Sequence, residues 1–261
     1  MSNKFRSVAS LVYQRRLPVH LMRRGFNVGV CPICERRTFF YKEGEWLRDQ
    51  YRCFRCYSIP RWRALMLVLQ TEFPDWRKLK IHESSPGGAS SFKLARECES
   101  YVASHYYHDI PLGEIRDGFR CEDLERQTFP DRNFDLVVSQ DVFEHVLDPE
   151  KGFAEVARTL RPGGAHVFTV PWYHWQGTLV RAARKDGEVQ YLTEPDYHGN
   201  PIDPNGSLVV TEWGRDLCQL IYGWSGLRTT VLKHVDPRLG LNGEFLEVFV
   251  SRKSHELPHR S

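Results

Sequence analysis

Two Cys-x2-Cys pairs, Cys31-Pro-Ile-Cys34 and Cys53-Phe-Arg-Cys56, stand eighteen residues apart, and no other feature of this 261-residue chain restricts its folding as tightly. Each pair wraps a tight turn that aims two thiolates at one point, so two such turns complete a tetrahedral four-sulfur site of the zinc-ribbon or zinc-knuckle kind. Two disulfides or four buried thiols are the alternative. A chain without a signal peptide is expected to meet a reducing, cytoplasmic compartment, which disfavours them. Cys31, Cys34, Cys53 and Cys56 are therefore read as ligands of a structural zinc, since four thiolates leave no open coordination position and nothing suggests the electron transfer that iron would serve. A module this small needs such a staple. Cys98, Cys121 and Cys218 lie in core-like contexts and read as packing residues.

Charge separates the module from the rest of the chain. Residues 1–63 hold fourteen Lys and Arg against four Asp and Glu, a balance of +10, whereas the remainder carries −7. A basic module can recognise nucleic acid or an acidic partner, and an acidic body makes non-specific polyanion binding by the whole chain unfavourable. The first thirty-four residues contain no acid, and they read as a basic segment retained in the protein. No apolar run approaches the ~18 residues of a membrane span. Ser58-Ile59-Pro60 predicts a helix start, with Ser58 as the cap and Pro60 in the first turn. The module, residues 1–62, should thus join a body spanning 63–261 through a helix.

In that body strand-like and helix-like stretches alternate: strands at 78–83, 101–104, around Cys121, at 134–139 and at 165–170, and helices at 88–97 and 149–160. An irregular stretch follows at 171–209, then a helix at 211–222 and strands at 227–235 and 245–251. This is the pattern of an α/β, doubly wound sheet, whose ligand crevice lies at the carboxyl ends of its strands.

The segments "FPDRNFDLVVSQDVFEHV", "FAEVARTLRPGG" followed by "AHVFTVP", and "CEDL" resemble, in order and spacing, those of class I S-adenosylmethionine-dependent methyltransferases, of a type 11-like kind. The resemblance covers roughly residues 78–251. It implies a Rossmann-like seven-stranded sheet with an antiparallel last strand. "EPDYHGNPIDPNGSL" and "EWGRDL" further resemble a subgroup associated with sugar and polysaccharide biosynthesis.

On this resemblance "HESSPGGAS", residues 82–90, is the donor-binding turn. S-adenosylmethionine carries no phosphate, so the turn needs only close backbone approach at Gly87 and Gly88 and an acid, Glu83, near the ammonium group. Ser84, Ser85 and Pro86 replace the usual first glycine. Asp123 stands where the superfamily's acid meets the adenine amine, with Leu124 beside it. The usual ribose acid is missing, which leaves Ser104, His105 and Tyr106 as candidates. Gln140 and Asp141 should line the crevice beside the methionine half. Asp141, Glu144 and His145 could also share one helical face, a set similar to one that holds a divalent metal in some RNA 2′-O-methyltransferases. Bracing of the helix is the preferred reading, because no fourth ligand is identifiable by spacing.

Methyl transfer from a sulfonium depends mostly on orientation, and a hydroxyl acceptor additionally needs a base. His145, His174 and His198 are the candidates. Trp172, Tyr173 and Trp175 could wall an acceptor within the insertion 171–209, read as a lid. The expected activity is O-methylation of a small molecule such as a sugar or glycan precursor. Two alternatives are an RNA methyltransferase gripping phosphate with the basic zinc module, and a non-enzymatic protein whose module docks a partner.

Overall fold

Leu136 and Val138 pack into one hydrophobic cluster while Val137 between them packs into another. Neighbouring strands repeat this, with Val167 against Phe168 and with Val248 and Val250 against Phe249. Successive strand residues point to opposite faces, so a strand apolar at every position must be covered on both. The computed structural model describes residues 25–199 and 205–255. The acid-free segment therefore lies outside the described residues up to position 24.

The module consists of strands β1 (Phe26–Val30), β2 (Arg37–Lys42) and β3 (Tyr51–Cys53) in an antiparallel sheet, with a one-turn helix α1 (Leu47–Gln50) between the last two. Helix α2 (Pro60–Glu72) leads out of it. Its cap is Ile59 and lacks a side-chain bond, so Ser58 does not cap it. Ser58 Oγ instead lies 3.4 Å from Cys31 Sγ and 3.2 Å from Cys56 Sγ.

The body begins with β4 (Lys80–Ser84), α3 (Gly88–Glu97), β5 (Ser100–His105), β6 (Ile115–Arg116), β7 (Phe119–Cys121) and β8 (Phe134–Gln140). It continues with α4 (Pro149–Thr159) and β9 (Leu160–Thr169). The insertion contributes β10 (Trp172–Tyr173), β11 (Leu179–Val180), β12 (Ala182–Lys185), β13 (Glu188–Tyr191), β14 (Tyr197–His198) and β15 (Ser207–Leu208). Then come β16 (Thr211–Gly214), α5 (Leu217–Ser225), β17 (Arg228–Leu232) and β18 (Val248–Arg252).

The central sheet runs β17-β18-β9-β8-β4-β5-β7-β6, with β18 antiparallel to both neighbours. Seven of these strands match the expected sheet. The eighth, β6, is a two-residue edge strand made by a hairpin turn at Asp117-Gly118, both at positive φ, the conformation that Asp-Gly favours. Residues 211–214 are not helical as the sequence suggested. They form β16, parallel to β10 and antiparallel to β11, and bury Trp213.

One core cluster joins Cys31, Phe40 and Tyr51 of the module to Leu65, Val68 and Leu69 of α2 and to Ile81, Leu136 and Val167 of the sheet. Arg63, fully buried on α2, reinforces the junction. It donates to the carbonyls of Ser58, Tyr51 and Gly240, and its guanidinium lies 4.8 Å from the Phe40 ring centre. Burial draws its pKa down to about 10. No helix among the described residues is long and apolar enough to cross a membrane.

Candidate functional site

The carboxyl ends of β4, β5 and β8 open into a crevice of about 1480 Å3, walled on one side by the module and on the other by the insertion. A single small-molecule site occupies roughly 300–1,000 Å3, so this crevice has room for a donor and an acceptor together.

The turn after β4 forms its floor. Ser85 adopts φ 51°, where a glycine would be unstrained, and its N–H donates to the Ser104 carbonyl at 2.8 Å. A side-chain carbon on Gly87 would meet nothing within 4 Å, so its backbone is open to a ligand. Gly88 has another role. At φ +79° a Cβ would lie 2.2 Å from Cζ2 of Trp62, which packs directly on the turn. Glu83 is buried behind the turn rather than lining the crevice. It accepts from Ser91 Oγ at 2.6 Å, Tyr101 Oη at 2.6 Å and Gln140 Nε2 at 3.0 Å. Burial raises its carboxyl above the usual range against the pull of those donors. Ser91 Oγ also accepts from the Gly87 N–H at 2.9 Å, so Glu83 fixes the turn at second hand.

Ser85, Gly87, Tyr106, Asp123, Leu124, Gln140 and Asp141 all line the crevice. Ser104 does not. It is buried with its hydroxyl 2.8 Å from His82 Nε2, because the alternation along β5 turns it inward. His105 also lines the crevice, and burial lowers its pKa to about 4, leaving it neutral. Asp109, the first acid after β5, is held by both outer nitrogens of Arg116 at 2.7 and 2.8 Å. One Asp123 oxygen accepts the Glu125 N–H at 2.9 Å.

The sequence reading missed the module's inner face. Trp46, Arg48, Asp49, Arg61 and Trp62 all line the crevice. Arg48 Nη2 lies 2.8 Å from both oxygens of Asp141, Arg61 Nη1 lies 2.5 Å from Oδ2, and Thr169 Oγ1 donates to Oδ1 at 2.9 Å. Arg61 Nε also pairs with Asp49 at 2.8 Å. Burial opposes ionisation of Asp141, but the two guanidiniums outweigh it and hold the carboxyl well below the usual range. Asp141 sits at φ 52° and is followed by a 3-10 turn, Phe143–His145. The expected helical face shared by Asp141, Glu144 and His145 is therefore not formed.

Among the described residues lining the crevice, His145 and His198 are present and His174 is not. His174 is exposed, its ring 5.0 Å from Trp175 and 5.4 Å from Trp172. Trp172 is no acceptor wall either, since its indole N–H donates to the Gly214 carbonyl at 2.7 Å and its ring abuts Phe249. Trp175 is exposed outside the crevice, and Tyr173 alone of the three reaches it. Residues 200–204, within the "EPDYHGNPIDPNGSL" segment, lie outside the described residues.

In the module, the Sγ atoms of Cys31 and Cys56 are 3.6 Å apart and those of Cys34 and Cys53 are 4.0 Å apart, with all four within 4.8 Å. Sulfurs at ~2.3 Å from a tetrahedral zinc stand about 3.8 Å from one another. The spacing fits that ion.

Residues 88–168, running from α3 through β9, match a family model described as a methyltransferase domain. The chain carries a methyltransferase domain. The match begins at Gly88, within the turn that follows β4. No curated protein shows significant sequence similarity to the chain.

Among solved structures, a Haloferax volcanii methyltransferase in complex with its Trm112 activator is 15% identical, covering 76% of this chain and 92% of that one, with a TM-score of 0.47. An S-adenosylmethionine-dependent methyltransferase from Mesorhizobium loti is 18% identical over 73% and 98%, TM-score 0.47. The Burkholderia thailandensis 1,6-didemethyltoxoflavin N1-methyltransferase with bound S-adenosylhomocysteine is 15% identical over 74% and 78%, TM-score 0.46.

Proposed function

We propose that the methyltransferase domain uses S-adenosylmethionine to methylate a hydroxyl of a small acceptor, of sugar or glycan-precursor type, inside the crevice. In this reading residues 1–62 form a zinc-stapled module, with Cys31, Cys34, Cys53 and Cys56 as ligands, and residues 63–261 form the transferase body. The carrying observation is that the crevice is walled from two sides. The crevice is walled by Trp46, Arg61 and Trp62 on one side and by Tyr173, Tyr197 and Leu208 on the other. The module's exposed Arg36, Arg37 and Arg55 are not among its lining residues, and the arginines that do line it, Arg48, Arg61, Arg116 and Arg184, are paired with acids. This arrangement favours a captured small molecule over a polyanion.

Bound S-adenosylmethionine supplies a methyl group activated on a sulfonium. The chain's own residues hold and orient. The open backbone at Gly87 with Ser85 and Gln140 receives the methionine half, and Tyr106, Asp123 and Leu124 receive the nucleoside. His145 and His198 line the insertion side of the crevice, where the acceptor hydroxyl is placed.

The test pairs calorimetry with an acceptor screen. S-adenosylmethionine and its demethylated product should bind the wild type, and absence of binding would refute the donor assignment. Turnover on small hydroxylated acceptors should vary little with salt and fall when Tyr173→Ala opens the lid. Methylation of RNA with a log–log salt slope near −0.7 per phosphate contact, abolished by replacing Arg36, Arg37 and Arg55, would show that RNA is the substrate.

A further inference from the structure

Glu144 is buried, and neither of its carboxylate oxygens has a hydrogen-bond partner. A buried carboxylate without donors is costly and requires a compensating charge. The charges of Arg48 and Arg61 reach it through space, but no guanidinium lining the crevice bonds to it: Arg48 and Arg61 pair with Asp141, Arg116 with Asp109 and Arg184 with Glu125. The adjacent group is His145, whose Nε2 lies 3.9 Å from Glu144 Oε1. Its other nitrogen, Nδ1, is 2.8 Å from the Leu208 carbonyl oxygen, which can only accept. In the neutral ring Nδ1 must therefore carry the hydrogen, and the Nε2 lone pair faces the carboxylate oxygen. Two acceptors facing each other at that distance form no hydrogen bond. They do suit a cation between them, because two metal–ligand bonds of ~2.0–2.1 Å span up to about 4.2 Å.

A ring nitrogen of His198 completes the set, and one donor atom from each of the three residues lies within 4.8 Å of the others. Short contacts to one segment hold all three. Leu208 orients His145, the Val210 N–H donates to the Glu144 carbonyl at 2.7 Å, and His198 pairs with Ser207 across β14 and β15. A histidine ligand whose second nitrogen donates to a backbone carbonyl is the usual outer-sphere support of a metal site.

We propose that Glu144, His145 and His198 bind one divalent transition-metal ion at the insertion side of the crevice, separate from the four-cysteine site. Two imidazoles and a carboxylate leave coordination positions for an oxygen ligand. With His145 and His198 lining the crevice, that ligand is an acceptor hydroxyl. Only this last role rests on the proposed small-molecule reading. Ion binding itself requires neither donor nor acceptor.

The experiment uses the full chain with its cysteine site loaded with zinc, and Mn2+ as the probe, because manganese disfavours thiolates and takes nitrogen and oxygen ligands. Electron paramagnetic resonance of added Mn2+ should show the free-ion signal quenched by one ion per chain, and added Zn2+ should displace it. Glu144→Gln, His145→Ala and His198→Ala should each weaken binding by at least about tenfold, while cysteine-bound zinc stays at one per chain and so reports an intact fold. His198 is half-buried, so its variant keeps the test open should the buried Glu144 variant fail to fold. Binding of neither ion would overturn the proposal and make Glu144 a protonated acid. Binding that persists unchanged in His198→Ala would equally overturn it. Ion binding without transfer to any small acceptor would leave the site standing and refute the acceptor reading.

Discussion

Replacing Asp141 with asparagine tests whether the module's inner face is locked to the crevice by charge. Asparagine keeps the size of the side chain and can accept from Thr169, but it leaves two guanidiniums without their common anion. The side chains involved are 5% exposed at Arg48, 22% at Arg61 and 13% at Asp141. Breaking a buried pair by removing one partner costs roughly 3–5 kcal/mol. Arg61 retains Asp49, so the lower end applies, about 3 kcal/mol. In a chain of this length each kcal/mol shifts Tm by about 2–4 °C, which gives a fall of about 6–12 °C in a calorimetric scan at neutral pH with zinc content matched. Asp141→Asn combined with Arg48→Met should lose less than the sum of the two single changes, because the double variant buries fewer unpaired charges. An unchanged Tm in Asp141→Asn, or strict additivity in the cycle, would refute the lock. The folded Asp141 carboxyl lies below its unfolded value of ~3.9. Its contribution is therefore complete above that pH and is lost as pH falls through the folded value.

Elemental analysis should find about one tightly held zinc per chain in the cysteine site, and Cys34→Ser should remove it and lower Tm, because structural zinc contributes folding energy; unchanged zinc in the variant would exclude the ligand set. Asp123→Ala should weaken S-adenosylmethionine by ~1.5–3 kcal/mol, the value of a hydrogen bond to a charged group, with equal calorimetric affinity excluding the adenine assignment. His82 and His166 are fully buried, and burial lowers each pKa to about 3. The unfolded chain therefore takes up protons first, and stability should fall by about 1.4 kcal/mol per pH unit for each histidine between about pH 6.5 and 3. Denaturant titrations showing no loss across that window would contradict their neutral burial.

The sheet was legible because its strands state their own burial: a run such as Phe134–Gln140, apolar on both parities, fits only a covered parallel strand. Helix α3 begins and ends where its glycine and apolar pattern place it. What escaped the sequence reading was held by distant partners. Thr211–Gly214 extends into a helical-looking stretch, yet it is a strand because β10 and β11 supply its hydrogen bonds. Ser58 looks like a cap until the cysteine turn and Arg63 claim its hydroxyl. Ser104 and Tyr106 looked equivalent as ribose candidates, and the two part at the end of β5, where Ser104 turns in to His82. Arg48 is 93 residues from Asp141 and Arg61 is 80 from it, and no local periodicity announces either pairing.

The contact of Trp62 with Gly88 bears on how this protein can change over time. A larger residue at 88 collides with the indole, a smaller residue at 62 leaves the turn bare, and loss of Asp141 strands two arginines on the neighbouring segment. Positions 48, 61, 62, 88 and 141 should therefore vary in concert among descendants of this sequence. A chimera that borrows its first 62 residues from a distant relative should fail to fold unless positions 88 and 141 are borrowed with them.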